Sequence, residues 1–265
     1  MILAFVTGLF VQYMLILSIV LIHEMGHFLI ARLLGWRIRK VMLWFFGGVM
    51  ETDEYLSRPI YEECLVVIAG PIQHVLIHIG LFYFGDIFLS EQLLTQAHQY
   101  NVGILLFNLL PIWPLDGGKL VQLGLSLLFP FKRAYQLILI LSICVIVCLL
   151  FVGSLYIILT MSGLVLGLFL LQENFLEWKR RHYIFIRFLL NRNQYKKTSK
   201  KKIITVTFSK SLYNVFTTFK RSNHYQLNIQ RNQDLIDEKE ALTFFFKGYT
   251  PHPTVADLYQ FKKSN

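Results

Sequence analysis

Five consecutive residues, His23-Glu24-Met25-Gly26-His27, have the types and spacing that metal-assisted hydrolysis requires. Two histidines four apart on a helix share a face and reach one zinc ion. Glu24 between them is placed to take a proton from a water that the metal has acidified. Taken alone, the pattern recurs by chance in soluble proteins. Here it lies inside the apolar run 1–36, where three ionisable groups are costly to insert and a purely structural role is disfavoured. Zinc needs a third protein ligand and a fourth position left for water or substrate. Asp116 is the best candidate, being the only acid between Glu91 and Glu173. Pro111 and Pro114 break a helix just before it, and Gly117 and Gly118 let backbone approach closely. The competing role for Asp116 is an acid reaching to the membrane interface beside Lys119. Asn108, about two helical turns earlier, is read as binding or polarising a substrate carbonyl, with a helix-packing hydrogen bond as its competing role. His74 and His78 are also four apart, but no acid accompanies them on their span, so a packing or gating role is expected.

The elements that must position these residues are membrane spans. Hydrophobic residues make up 55% of the 265 and charged ones 16%, against about 25% charged in soluble domains. Several windows reach the roughly 20 apolar residues needed to cross a ~30 Å hydrocarbon core, and a backbone that satisfies itself there is helical. The expected spans are 1–36, 64–84, 101–129, 134–152 and 154–171. The first is too long for one straight span and too short for two, so residues 1 to about 10 are either a frayed start or the remnant of a preceding span. Between 37 and 63 the chain is polar and interrupted, and Gly47-Gly48 among aromatic and β-branched residues predicts a short strand or loop dipping to the membrane. An extended substrate is expected to add to its edge at Gly48 and Val49. The segment 85–100 reads as a polar connection. Cys64, Cys144 and Cys148 all lie in apolar segments without a metal-like pattern and read as small buried hydrophobes. No cleavable signal peptide is evident.

Charge divides the chain. Of the 26 Lys and Arg, 18 lie from Glu173 onward, against 7 of the 16 Asp and Glu. Beside a membrane such a tail marks the cytoplasmic face or contacts anionic lipid, and no nucleic-acid partner is expected. The basic 37–40 stretch with Arg58, the Lys132-Arg133 turn and the tail all fall on one side of the five spans, which the positive-inside rule makes cytosolic. The expected domains are a transmembrane metalloprotease domain at 1–172, a basic linker at 173–202 and a small α+β module at 203–265. In the last, strands are expected at 203–208 and 225–229, and helices from Ser209 to about Phe219 and from Leu235 to Phe246. Some 60 residues make a marginal core, so a partner surface is expected.

At HEMGH, at the N-x-x-P-x-x-P-L-D-G-G run and at the Gly47-Gly48 loop, the chain resembles the site-2 protease family of intramembrane metalloproteases. Segments 69–74, 109–119 and 182–190 extend the likeness to the family's sporulation members. The resemblance implies that His23, His27 and Asp116 hold one zinc ion and that Glu24 is the catalytic base. It implies a protein substrate, the inactive precursor of sigma-K, cleaved on the mother-cell side of the membrane surrounding the forespore, and gating by membrane inhibitor proteins. The tail resembles a single CBS-type domain, which implies pairing between copies and, more weakly, ATP, although no nucleotide-contacting residue is identifiable. Family members carry a complete span before the one bearing HExxH, whereas about ten residues precede Gln12 here, so the chain is expected to begin inside that span.

The fold expected is thus an all-α polytopic membrane domain with a short β-like re-entrant element, followed by a small α+β cytosolic domain. The expected reaction is hydrolysis of a peptide bond. The rival from another class is a divalent-metal transporter using the same His and Asp groups. It needs a polar path beyond the site, for which the sequence offers only His74 and His78.

Overall fold

A computed structural model of the chain describes residues 10–44, 47–52, 58–156, 160–194, 200–229, 235–248 and 253–264. The expected start inside a preceding span, at residues 1–9, lies outside them. Packing divides the chain into two units, Met1–Val121 with Leu141–Asn174, and Gln122–Ile140 with Phe175–Asn265.

The first unit begins with α1, Phe10–Leu33. Gly35 ends it with φ at 71°, while Trp36 N–H donates to the Ala31 carbonyl at 2.9 Å and Gly35 N–H to Arg32 at 3.0 Å. This left-handed stop needs a residue without Cβ, and it brings Trp36 back onto Ala31 and Val66 in a buried cluster. The chain then forms an antiparallel hairpin, β1 (Ile38–Trp44) with β2 (Gly47–Thr52), pairing Met42 with Val49 and Leu43 with Gly48. The expected β-like element is therefore a hairpin, and β2 lies against α1.

Helix α2 spans Ile60–Phe88 and α3 spans Glu91–Asn108, so the stretch 85–100, expected as a polar connection, is almost entirely helical. Its Glu and Gln residues are good helix formers, and at the seam with α2 Leu94 packs against Gly85, with Ala97 and Asn101 buried. Along that seam His74 meets Asn101, and His78 meets His98 with the two Nδ1 atoms 3.1 Å apart. Helix α4, Asp116–Leu128, follows the proline-containing turn. Helices α5 (Phe131–Leu155) and α6 (Met161–Gln194) come next. Ile112, Ile146 and Leu170 form a second buried cluster of the first unit.

Among the described residues three helices are long and apolar enough to cross a membrane: Phe10–Leu33, Ile60–Phe88 and Phe131–Leu155. They match the first, second and fourth expected spans. The expected third span is divided between α3 and α4, because Pro111 and Pro114 end the first helix. The expected fifth is the start of α6, which continues without a break through 172 and 173 into the charged stretch read as linker. Only 28%, 28% and 22% of the most apolar windows of the three helices are buried. Phe82, Phe84, Ile87 and Phe88 of α2 face outward, as do Leu149 and Phe151 of α5. So much outward apolar surface is stable only against lipid.

The second unit holds a three-stranded sheet in the order β3-β4-β5. Strand β3 (Lys200–Val206) runs parallel to β4 (Asn223–Ile229), and β5 (Leu235–Asp237) runs antiparallel to β4. Tyr225, Leu227 and Ile229 alternate inward along β4, as a half-buried strand requires. Helices α7 (Leu212–Phe216), α8 (Glu238–Lys247) and α9 (Val255–Ser264) complete it. The expected helix at 235–246 starts three residues late, because Asp237 is its cap, accepting from Lys239 N–H at 3.3 Å, and Gly248 closes it with φ at 69°. Arg192 donates to both oxygens of buried Glu238, and Oε2 also accepts from Tyr225 N–H at 2.8 Å.

Candidate metal centre

His23 and His27 project from one face of α1, 3% and 6% exposed, and Asp116 at the start of α4 is 3% exposed. Their facing atoms form a triangle: His23 Nε2 to His27 Nε2 at 3.0 Å, His23 Nε2 to Asp116 Oδ2 at 3.2 Å, and His27 Nε2 to Asp116 Oδ2 at 3.1 Å. Three donors on a tetrahedral zinc, with bonds of about 2.0–2.1 Å, stand roughly 3.3 Å apart. The separations fit that ion. The chemistry fits as well, since Asp116 Oδ2 is buried without a hydrogen-bond donor among the described residues. Three lone-pair atoms turned on one another in a buried place repel unless a cation lies among them.

The helices hold this geometry through residues that say little in the sequence. A Cβ on Gly26 would come within 2.5 Å of the Ala69 carbonyl, so α1 and α2 touch backbone to side-chain stem. A Cβ on Gly70 would lie 2.4 Å from His27 Cε1 and Nε2 and 2.6 Å from His23 Cε1. Gly70 is thus the floor on which both imidazoles rest. The Val66 carbonyl accepts a hydrogen bond from His27 Nδ1–H at 2.7 Å, which keeps the ring proton there and leaves Nε2 bare toward the centre.

Asp116 arrives through the turn 109–115, which contains a cis Trp113-Pro114 peptide. Two polar residues pin that turn. Ser142 Oγ of α5 accepts from Trp113 N–H at 2.9 Å, and Asn174 Nδ2 of α6 donates to the Trp113 carbonyl at 2.7 Å. Sequence reasoning missed both, although each is an isolated polar residue in an apolar helix, which is the available signal. Gly117 and Gly118 close the turn, since a Cβ there would meet the Leu109 carbonyl at 2.1 Å and the Ile112 carbonyl at 2.5 Å. Lys119 Nζ lies 3.2 Å from Asp116 Oδ1, which leaves Oδ2 to face the histidines.

Glu24 is half-buried beside His23 on α1. Asn108 ends α3, half-buried, and Pro111 and Pro114 are half-buried in the pinned turn. Gly48 and Val49 lie on β2, paired to β1 and on the strand adjacent to α1. The structure thus brings His23, His27 and Asp116 together, and sets the other named residues on the elements that flank them.

Known proteins resemble this chain in sequence and fold. The model of Peptidase family M50 matches residues 11–100. Stage IV sporulation protein FB of Bacillus subtilis (strain 168) is 38% identical over 264 residues, spanning 97% of this chain and 91% of that protein. A zinc metalloprotease of Methanocaldococcus jannaschii is 31% identical over 131 residues, 48% of this chain and 38% of that one. The solved site-2 protease from Methanocaldococcus jannaschii superposes with a TM-score of 0.52 at 25% identity, covering 62% of this chain and 76% of its own. With a buried triangle formed by the two histidines of the HExxH helix and Asp116 of α4, and with a relative of this extent and identity, the chain belongs to peptidase family M50, the site-2 proteases, and is a metalloprotease.

Proposed function

We propose that the chain is an intramembrane zinc endopeptidase that cleaves a membrane-associated transcription-factor precursor, pro-sigma-K in sporulation. The observation that carries the reading is the buried triangle of His23 Nε2, His27 Nε2 and Asp116 Oδ2 beside Glu24. These three residues would hold the zinc, which when bound acidifies water and polarises a scissile carbonyl. Glu24 is the base: a carboxylate oxygen takes the proton of the attacking water and passes it to the leaving amine nitrogen. Asn108 donates from its side-chain amide to a substrate carbonyl, and Pro111 and Pro114 shape the turn beneath it. β2 supports the presentation of an extended substrate, because it lies against the helix bearing Glu24 and pairs only with β1 among the described residues. Backbone bonding at Gly48 and Val49 would straighten the peptide for attack.

The choice of substrate is supported by the relative named for a sporulation stage and by the extent of that match. The three-stranded sheet with its packed helices supports the reading of the tail as a CBS-like regulatory domain that pairs copies. Membrane inhibitor proteins acting on the cleft, and ATP at the tail, extend the proposal to regulation. Co-expression with pro-sigma-K tests the core of it: Glu24→Gln abolishes processing while the purified protein keeps one zinc per chain. Normal processing by that variant would remove Glu24 from the mechanism.

A further inference from the structure

His74 lies on α2 one turn beyond Gly70, fully buried, with its ring 4.9 Å from that of His23 between centroids. Its Nδ1 is 2.7 Å from Asn101 Oδ1, and Asn101 Nδ2 donates back to the carbonyl of His74 at 2.9 Å. The second bond fixes which end of the amide is nitrogen, since a carbonyl only accepts. Asn101 Oδ1 must therefore accept as well, and the His74 proton resides on Nδ1. The other ring nitrogen, Nε2, is then an acceptor.

His23 has the opposite arrangement. Its Nε2 faces His27 and Asp116 and must be bare to bind a metal, so its proton resides on Nδ1. Both His23 Nδ1 and His74 Nε2 are buried, and neither has a hydrogen-bond partner among the described residues. One is a donor without an acceptor and the other an acceptor without a donor, on two rings in contact. The remaining two ligands are already oriented from behind, His27 by the Val66 carbonyl and Asp116 by Lys119. His23 alone lacks the outer partner that metal-binding histidines characteristically have.

We infer that His74, held in its Nδ1–H tautomer by Asn101, is the positioning residue for His23, accepting a hydrogen bond from His23 Nδ1–H through one bridging water. This rests on His23 being a zinc ligand. His74 thereby fixes the rotamer and tautomer that His23 presents to the metal, and the Asn101-His74 pair links α3 to the centre without touching substrate.

The test is zinc affinity of the full-length protein in detergent, measured by competition with a chromogenic chelator, together with the melting temperature of the metal-free form. His74→Leu weakens zinc binding about 10- to 100-fold, while the metal-free melting temperature falls by a similar amount in His74→Leu and Asn101→Leu, because each breaks the same buried pair. His74→Gln, whose carbonyl accepts in place of Nε2, stays near the parent, and Asn101→Leu falls between. Parental affinity in His74→Leu overturns the inference. Equal zinc loss in His74→Leu and His74→Gln, or zinc loss that follows the metal-free melting temperature across the three variants, overturns it in favour of plain packing. His23→Ala is the control. Loss of zinc there with none in His74→Leu defeats only this inference, whereas zinc retained by His23→Ala defeats the ligand reading and this inference together.

Discussion

At the scale of single residues, the centre depends on side chains that never face the metal. Asn174 is the clearest. Its Nδ2 bridges the carbonyls of Trp113, at 2.7 Å, and of Leu170, at 2.8 Å, tying the turn that delivers Asp116 to α6. The Leu170 carbonyl keeps its helical partner if the amide is removed, whereas the buried Trp113 carbonyl loses the donor that ties it to α6. Losing a hydrogen bond at a buried acceptor costs roughly 1–3 kcal/mol, and the turn relieves it by moving. Asn174→Leu is therefore expected to lower both zinc affinity and cleavage by about tenfold, since 1.4 kcal/mol corresponds to that factor, with Asn174→Gln milder. Chelator competition and substrate processing measure the two effects, and parental values in both would show that Ser142 and the glycines hold the turn unaided. The same scale explains why the transporter reading loses ground. His74 and His78, its only polar continuation, are tied to Asn101 and His98 rather than strung along an open path.

At the scale of elements, the structure separates what composition reveals from what only packing decides. HEMGH on a helix and Asp116 after two prolines were legible, because metal ligation and helix breaking both act through residue type and spacing. Gly70, Ser142 and Asn174 were not, because a glycine or amide in an apolar run looks alike whether it faces lipid, a neighbouring helix or the centre. The strands near 203–208 and 225–229 were legible from β-branched and alternating residues, whereas α9 was missed. Its signal is a capping box at Thr254 and Asp257. Asp257 Oδ2 accepts from Thr254 N–H at 2.9 Å and from its hydroxyl at 2.8 Å, and these bonds to the ionised form hold the Asp257 carboxyl below its usual range. A carboxyl depressed in the folded state contributes stability above its unfolded value, near 3.9, and loses it as pH falls through the lower folded value. Acid unfolding of the C-terminal sheet unit, followed by its circular dichroism, is thus expected to begin at higher pH and with a shallower pH dependence in Asp257→Asn. Superimposable acid transitions would mean that the box persists without the charge.

At the scale of the whole molecule, two surfaces of opposite character must be served by one orientation. Phe82, Phe84, Ile87 and Phe88 of α2 and Leu149 and Phe151 of α5 are outward and apolar, so these two helices, with α1 that bears the two histidines, belong in hydrocarbon. The basic residues cluster instead near 37–40, at Lys132-Arg133 and beyond Glu173, where 18 of the 26 Lys and Arg lie. Moving such a tail across a membrane is opposed by the positive-inside bias, and anionic cytoplasmic lipid favours each juxtamembrane basic residue by about 1 kcal/mol. If α5 crosses once and the apolar start of α6 returns, the Lys132-Arg133 turn and the tail share the cytosolic side, which is also where a transcription-factor precursor is made. Fusions made after Asn265 decide the matter, using one reporter active only in the cytosol and another active only outside it. The cytosolic reporter is expected to be active and the external one silent. The reverse pattern would place the tail away from the proposed substrate and require the precursor to be sought among proteins of the opposite face.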